Sequence, residues 1–295
     1  MSKLALYACI VAAAACTKND SRLDGVSGTG AQPSQPGLAM PRGGSSGGGD
    51  VESRLARVER RLDKVIGLLE QNLPPDGPDR TTTYSVPVSA SDPIEGPADA
   101  KVTIIEAFEF LCPYCYMINP TIQKILEAYP KDVRIVSKYL LIHGEQAALA
   151  GQVGCAAAKQ GKYPQVKAAL WNGLFKMEGQ RPAVQSENLN MDALKKLAVD
   201  AGADAAKLEA DLEGCKSWIR DSAQTLQPVG VNSTPSFFVN GRFIQSMDFG
   251  QFDALIKQEL ARADKAIADG VPQGDYYQRE IVAKGEKRSK GRFED

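Results

Sequence analysis

The stretch Cys112-Pro113-Tyr114-Cys115 restricts what this chain can fold into more than any other. It follows a β-rich apolar run, KVTIIEAFEF (101–110), and opens a helix-compatible one, PYCYMINPTIQKILEAY (113–129). Pro113 takes the first helical position, where a missing N–H costs nothing. A second β-rich run, DVRIVSKYLLI (132–142), comes next, and strand, helix, strand in that order implies a parallel pair joined by a crossover.

Two cysteines at this spacing have three readings. A structural zinc site needs two further ligands at close spacing. The chain has one histidine, His143, and no second Cys-x-x-Cys. A static staple closing so short a loop would constrain the unfolded chain little. A redox couple accounts for more of the context. Unpaired N–H groups and the positive end of the helix dipole would stabilise a thiolate on Cys112 and depress its pKa below about 8.5. Cys115, one turn further in, would be shielded and suited to resolve a mixed disulfide.

Beyond these two strands the pattern stays α/β. A helical block from about 145 to 226 contains EQAALAGQVGCAAAKQG, YPQVKAALWNGLF, NMDALKKLAVDAG with Asn190 as N-cap, and DAAKLEADLEGCKSWIRDSAQTL. TPSFFVNGRFIQ then reads as a hairpin about Asn240-Gly241. GQFDALIKQELARADKAI supplies a last amphipathic helix, and 269–295 reads as a polar tail with a short helical piece at YYQREIVAK.

The first fifty residues address the compartment. Residues 1–16 pair Lys3 with an apolar run from Leu4 to Ala15, the layout of an export signal. That run falls well below the roughly 20 residues of a spanning helix. Cys16 follows Ala13-Ala14-Ala15 and precedes a polar segment, which resembles a bacterial lipobox and implies cleavage before Cys16 with lipid on its sulfur; plain signal cleavage is the alternative. Either outcome places the chain outside the cytosol, in the bacterial cell envelope or periplasm, where disulfides persist. Residues 17–50 are dominated by Gly, Ser and Pro, a flexible tether. A formal net charge of -1 and no basic patch interleaved with aromatics argue against nucleic acid.

Residues 51–73 place Val51, Leu55, Val58, Leu62, Val65 and Leu69 at alternating spacings of four and three, the seam of a short coiled coil. With leucine at a and valine at d, Arg54 at g can reach Glu59 at e of a neighbouring chain, and the pattern leans toward three or four strands. Homo-oligomerisation through 51–69 is therefore expected. The alternative is a solvated or folded-back helix, against which stands the marginal stability of so short a helix alone in water.

Taken together, GPADAKVTIIEAFEFLCPYC (96–115), Pro120 inside the following helix, the helical block and GVNSTPSFFVNGRFI (230–244) resemble the thioredoxin superfamily, and within it the DsbA-like exported thiol:disulfide oxidoreductases, over roughly 92–268. The resemblance implies a thioredoxin fold over 85–268 with an all-helical subdomain inserted at about 145–226. It implies that Pro235 is cis and faces the redox cysteines, and that Thr234 pairs its backbone with an extended substrate, a form of strand addition. Folding Cys-containing proteins are the implied substrates and a membrane redox partner the implied regenerator, with no dissociable cofactor. Two departures bear on direction. Tyr114 stands where strongly oxidising members carry His, and a Thr before the proline together with an oligomerising helix is similar to disulfide isomerases. Dithiol oxidase is the first reading, isomerase or reductase the second, and a protein capturing Cu(I) between the two thiols the third.

Other residues are weighed beside it. Glu106 lies six positions before Cys112, where the family often has a buried acid that relays the resolving thiol's proton. Period two places it with Phe108 and Phe110; a sheet-edge carboxylate in water is the rival. Glu109 is expected on the opposite face as a solvated or supporting charge. In an oxidising compartment the remaining Cys155 and Cys215 are expected to bridge, as in relatives with a second disulfide, two buried thiols being the alternative. His143 reads as a loop or core histidine. Trp171, Phe175 and Trp218 read as ordinary core or groove aromatics.

Overall fold

The computed structural model describes residues 48–72 and 77–290. The signal, Cys9, Cys16 and most of the tether lie outside the described residues. In chain order the elements are α1 (Gly48–Asn72), β1 (Ile94–Glu95), β2 (Val102–Phe108), α2 (Pro113–Ala128), β3 (Val133–Tyr139), α3 (Glu145–Ala158), α4 (Tyr163–Leu174), β4 (Phe175–Glu178), β5 (Arg181–Val184), α5 (Met191–Asp200), α6 (Ala205–Leu226), β6 (Ser236–Val239), β7 (Arg242–Ile244) and α7 (Phe249–Ala268).

The main sheet runs β1-β3-β2-β6-β7. β2 pairs parallel with β3, Val102 opposite Val133 through Phe108 opposite Tyr139, and antiparallel with β6, Ile104 opposite Val239 through Ala107 opposite Ser236. As the middle strand it is covered on both faces, which is why all seven of its residues are buried and it shows no polar alternation. On one face Ile118, Ile122 and Ile125 of α2 and Phe252 and Ile256 of α7 pack on Val102, Ile104, Ile135 and Phe237. On the other, Ile105, Ala107, Val136 and Phe238 meet Tyr84, Val86, Leu226, Tyr277 and Ile281. The thioredoxin fold with its helical insertion is thus the architecture of 77–290.

The turns follow local chemistry. The Asn240-Gly241 loop joins β6 to β7 with both residues at positive φ, 43° and 80°, the backbone that a two-residue hairpin demands. A Cβ on Gly241 would also meet the Tyr84 carbonyl at 2.5 Å. Asn190 caps α5, its side chain accepting from the Ala193 N–H at 3.0 Å.

Three features go beyond the sequence reading. The insertion is not entirely helical: β4 and β5 form a small hairpin, and Gly179 at φ 63° opens its two-residue turn. A second, short β1 extends the sheet edge beside β3. Part of the polar tail is core. Tyr276, Tyr277 and Ile281 are buried, the Tyr277 hydroxyl donates to the Val86 carbonyl at 2.8 Å, and Tyr84 bridges to Glu286. A few large apolar side chains among many charges suffice to dock such a segment, because the burial of each is worth about 1.5–3 kcal/mol. The fold therefore reaches past Ala268 and starts before Ser85.

In α1, Val51, Leu55, Val58, Leu62 and Val65 are each more than half exposed. The Leu69 side chain lies outside the described residues. Among the described residues no helix is long and apolar enough to cross a membrane.

Candidate functional site

The end of β2 delivers the chain into a tight turn in which the Cys112 N–H donates to the Glu109 carbonyl at 3.3 Å. Cys112 is the N-cap of α2, with extended backbone (φ -81°, ψ 115°), and Pro113 follows it. Its sulfur accepts the Cys115 backbone N–H at 3.4 Å, one of the donors that a helix start leaves unpaired. Across the groove the Thr234–Pro235 peptide is cis, and the Thr234 carbonyl lies 3.4 Å from the Cys112 Sγ, placed to accept from the thiol. Cys112, Cys115, Thr234 and Pro235 are thus brought together from the two ends of a long stretch of chain.

The two sulfurs, unbonded here, have opposed electrostatics. A hydrogen bond from the Cys115 side chain, outweighing burial and helped by backbone N–H groups, holds the Cys112 thiol down to about 6. Burial, joined by the negative neighbour it serves, pushes the Cys115 thiol well above its ordinary value. One sulfur is an anion near neutral pH and the other a proton donor. Cys112 is only 2% exposed, and beside it, sharing Thr234, lies a groove of about 340 Å³ lined by Tyr114, Thr234, Pro235, Gln245, Ser246 and Met247. Iodoacetamide modification of the reduced protein should give a rate profile with a midpoint near pH 6 for Cys112. A midpoint above 8, as for an ordinary thiol, would remove the electrostatic basis of the site.

Glu106 is 1% exposed, on β2 below Cys115. It does not stand at a wet sheet edge. Burial raises its pKa, opposed by Lys167. The Lys167 Nζ lies 3.2 Å from Glu106 Oε2 and 2.9 Å from Glu95 Oε1, all three groups buried. Burial alone would depress Lys167, but the two carboxylates outweigh it and its pKa is raised. Two acids around one cation leave an excess negative charge in a low-dielectric setting, and a carboxyl proton is the cheapest neutraliser. Neither Lys167 on α4 nor Glu95 on β1 was identified from the sequence as a partner, since 61 residues separate the lysine from Glu106 and an amphipathic helix ordinarily turns a lysine to water.

Glu109 departs from expectation. It is fully buried, not solvated, because the chain after β3 folds over it: the Ile142 and His143 N–H groups donate to its carboxylate at 3.0 and 3.1 Å, and the His143 ring Nδ1 contacts Oε1. His143 itself lies in that loop with its side chain 45% exposed. Trp171, Phe175 and Trp218 are core, Trp171 packing with Tyr116 of α2, Phe108 and Phe110, and Phe175 stacking on Tyr116. Cys155 of α3 and Cys215 of α6 are joined by a disulfide within that same core.

Comparison with known proteins agrees with this architecture. The sequence family described as Thioredoxin matches residues 89–258, more than half of the chain. The thiol:disulfide interchange protein DsbA of Haemophilus influenzae is 24% identical over 190 residues, covering 60% of this chain and 88% of that protein. The Na(+)/H(+) antiporter NhaA 3 of Salinispora tropica is 29% identical over 203 residues, 65% of this chain, but the chain spans only about a quarter of it, 27%. Among solved structures, oxidised BdbD from Bacillus subtilis superposes with a TM-score of 0.52 at 22% identity, over 61% of this chain and 98% of that one. On its fold and its sequence the chain belongs to the thioredoxin family.

Proposed function

We propose that the chain is an exported thiol:disulfide oxidoreductase that works through Cys112 and Cys115, with dithiol oxidation of folding proteins as its main direction. One observation carries the reading: a sulfur held as a thiolate at a helix N-terminus, facing a cis proline, with a protonated and buried partner three residues on. In the oxidised protein a substrate thiolate attacks the Cys112 sulfur, the Cys112–Cys115 bond breaks, and the Cys115 thiolate leaves and takes a proton. A second substrate thiolate then attacks the substrate sulfur of the mixed disulfide and expels the Cys112 thiolate. The substrate loses two electrons and the cysteine pair gains them. Glu106 supplies or accepts the Cys115 proton, and the Thr234 backbone pairs with the substrate strand in the groove.

A Cys112 pKa lowered to about 6 stabilises the reduced form. That stabilisation is complete above the unfolded pKa and is lost as pH falls through 6. Measured against an ordinary thiol such as glutathione, the couple is therefore more oxidising at neutral pH than at acid pH, where that advantage disappears. Equilibration with glutathione tests the direction: the expected potential lies above that of thioredoxin, about -270 mV. A value at or below it would overturn the oxidase direction and favour a reductase.

The N-terminal features complete the reading. The apolar run before Cys16 supports export to the cell envelope, with lipid on Cys16 as a membrane anchor and a membrane redox partner to reoxidise the pair. The exposed Val51, Leu55, Val58, Leu62 and Val65 on α1 favour a second reading, an oligomeric isomerase, because an apolar heptad stripe left in water is an unmet demand for a second copy.

A further inference from the structure

The pole of the domain opposite Cys112 carries a second surface. By strand register the Asn240-Gly241 turn lies at the Val102 end of β2 and Cys112 beyond the Phe108 end, so the two are roughly 20 Å or more apart at about 3.3 Å per residue. The C-terminal segment is fastened at that far pole. Tyr84 N–H donates to the Gly241 carbonyl at 2.7 Å, and Ser85 and Glu286 exchange strand-like hydrogen bonds through Ser85 N to Glu286 O and Glu286 N to Thr83 O, at 2.8 and 2.9 Å. Beside these bonds a groove of about 710 Å³ is lined by Thr82, Thr83, Lys284, Arg288 and Lys290 together with Glu286.

The charge there is unlike that of the chain as a whole, whose formal net charge is -1. Residues 284–290 hold four cations and one acid, and residues 291–295 add Arg292, Glu294 and Asp295. Lys284 pairs with Glu280, but Arg80, Lys287, Arg288 and Lys290 are exposed and make no ion pair among the described residues. Among the described residues the local acids besides Glu280 are Glu286, on the groove wall, and Asp79, whose carboxylate is occupied by Thr81, Thr82 and the Tyr84 hydroxyl. Among the described residues no exposed aromatic is interleaved with these cations, so none of them would stack on a base. The chain enters the domain at this same pole, through residues 77–84.

We propose that this cationic pole docks on a bilayer surface bearing anionic phospholipid headgroups, which turns the Cys112 groove away from the membrane and toward soluble substrates. Clustered lysine and arginine next to a membrane tether gain roughly fivefold in binding per charge at such a surface. A lipid on Cys16 would leave the domain on some sixty residues of leash, and the local surface concentration then makes even weak docking populated. The physiological setting rests on the exported reading above; the binding itself does not.

Sedimentation with vesicles of phosphatidylcholine, with and without phosphatidylglycerol, tests the inference on the full chain carrying Cys16→Ser, which removes the acyl site. The expected result is binding that requires phosphatidylglycerol, weakens as salt rises, and falls on the order of a hundredfold in the variant Lys287→Gln/Arg288→Gln/Lys290→Gln. Residues 1–16 contribute equally to both proteins, so the difference between them reads the patch. Equal binding of the two proteins to anionic vesicles would overturn the proposal. So would binding indifferent to phosphatidylglycerol, or retention on an acidic polypeptide resin with none on vesicles. Disulfide exchange should be unaltered in the triple variant, which certifies its fold; its failure in both proteins would sink the proposed activity and leave the docking result standing.

Discussion

Cys112→Ala should abolish turnover of a disulfide-bonded peptide, and the intact Cys115 should not rescue it. With a pKa of about 6, Cys112 is mostly thiolate at neutral pH, whereas Cys115 is fully buried and its thiol is pushed well above the ordinary range. Ionisation alone then makes the surviving sulfur a poorer nucleophile by at least roughly a hundredfold, and its lack of exposure adds to the loss. Cys115→Ala should behave differently: the first attack proceeds, the mixed disulfide with Cys112 accumulates, and it is visible by mass as a covalent adduct. Both outcomes follow from the asymmetry of the pair. More than a tenth of wild-type turnover in Cys112→Ala, or no adduct in Cys115→Ala, would mean that the roles are assigned to the wrong sulfurs.

That asymmetry was largely legible from residue order, because each of its causes is local. A proline at the first helical position, a strand ending just before Cys112 and a helix starting there fix the N-cap, and the N-cap fixes which sulfur meets the free N–H groups. The hairpin at Asn240-Gly241 was equally legible, since its turn chemistry is written in two adjacent residues. The placement of Thr234-Pro235 against Cys112 came from the family resemblance, not from spacing: it joins segments 122 residues apart. The β4–β5 hairpin was not anticipated, because its strands are four residues each and mostly exposed, leaving no apolar alternation to read.

Buried charge was the least legible feature. Period two put Glu106 and Phe108 on one side of a strand, but nothing in the sequence says that Lys167 will turn inward to meet Glu106, or that two N–H groups will close over Glu109. A lone charged side chain in an apolar strand signals either an edge or a paired interior group, and only the third dimension supplies the partner. In this fold every such charge near the cysteines has one. Lys138, on β3, bonds Asp92 at 2.7 Å, and the Trp218 indole N–H donates to the other oxygen of Asp92 at 3.1 Å. The helical insertion is thereby tied to the sheet through buried polar contacts as well as through its aromatic core.

The insertion's remaining tie is covalent, and removing it is expected to be the costliest change for stability. Cys155 and Cys215 close a loop of 60 residues between α3 and α6, with Cα atoms 5.8 Å apart. In the chain-entropy account a loop of that length destabilises the unfolded state by about 4 kcal/mol, a large fraction of the roughly 5–15 kcal/mol that separates folded from unfolded in an ordinary domain. The double variant Cys155→Ala/Cys215→Ala should therefore unfold at a markedly lower urea midpoint than the wild-type protein. Its Cys112 alkylation profile in the absence of urea should stay near pH 6, because the Cys115 side chain and the N–H groups at the start of α2 do not depend on the bridge. The aromatic packing of Trp171, Phe110 and Tyr139 offers the competing explanation for how the insertion holds together. If that core suffices, the loss would be under about 1 kcal/mol and the midpoint nearly unchanged, and the bridge would have to be regarded as stabilising little beyond its own contacts.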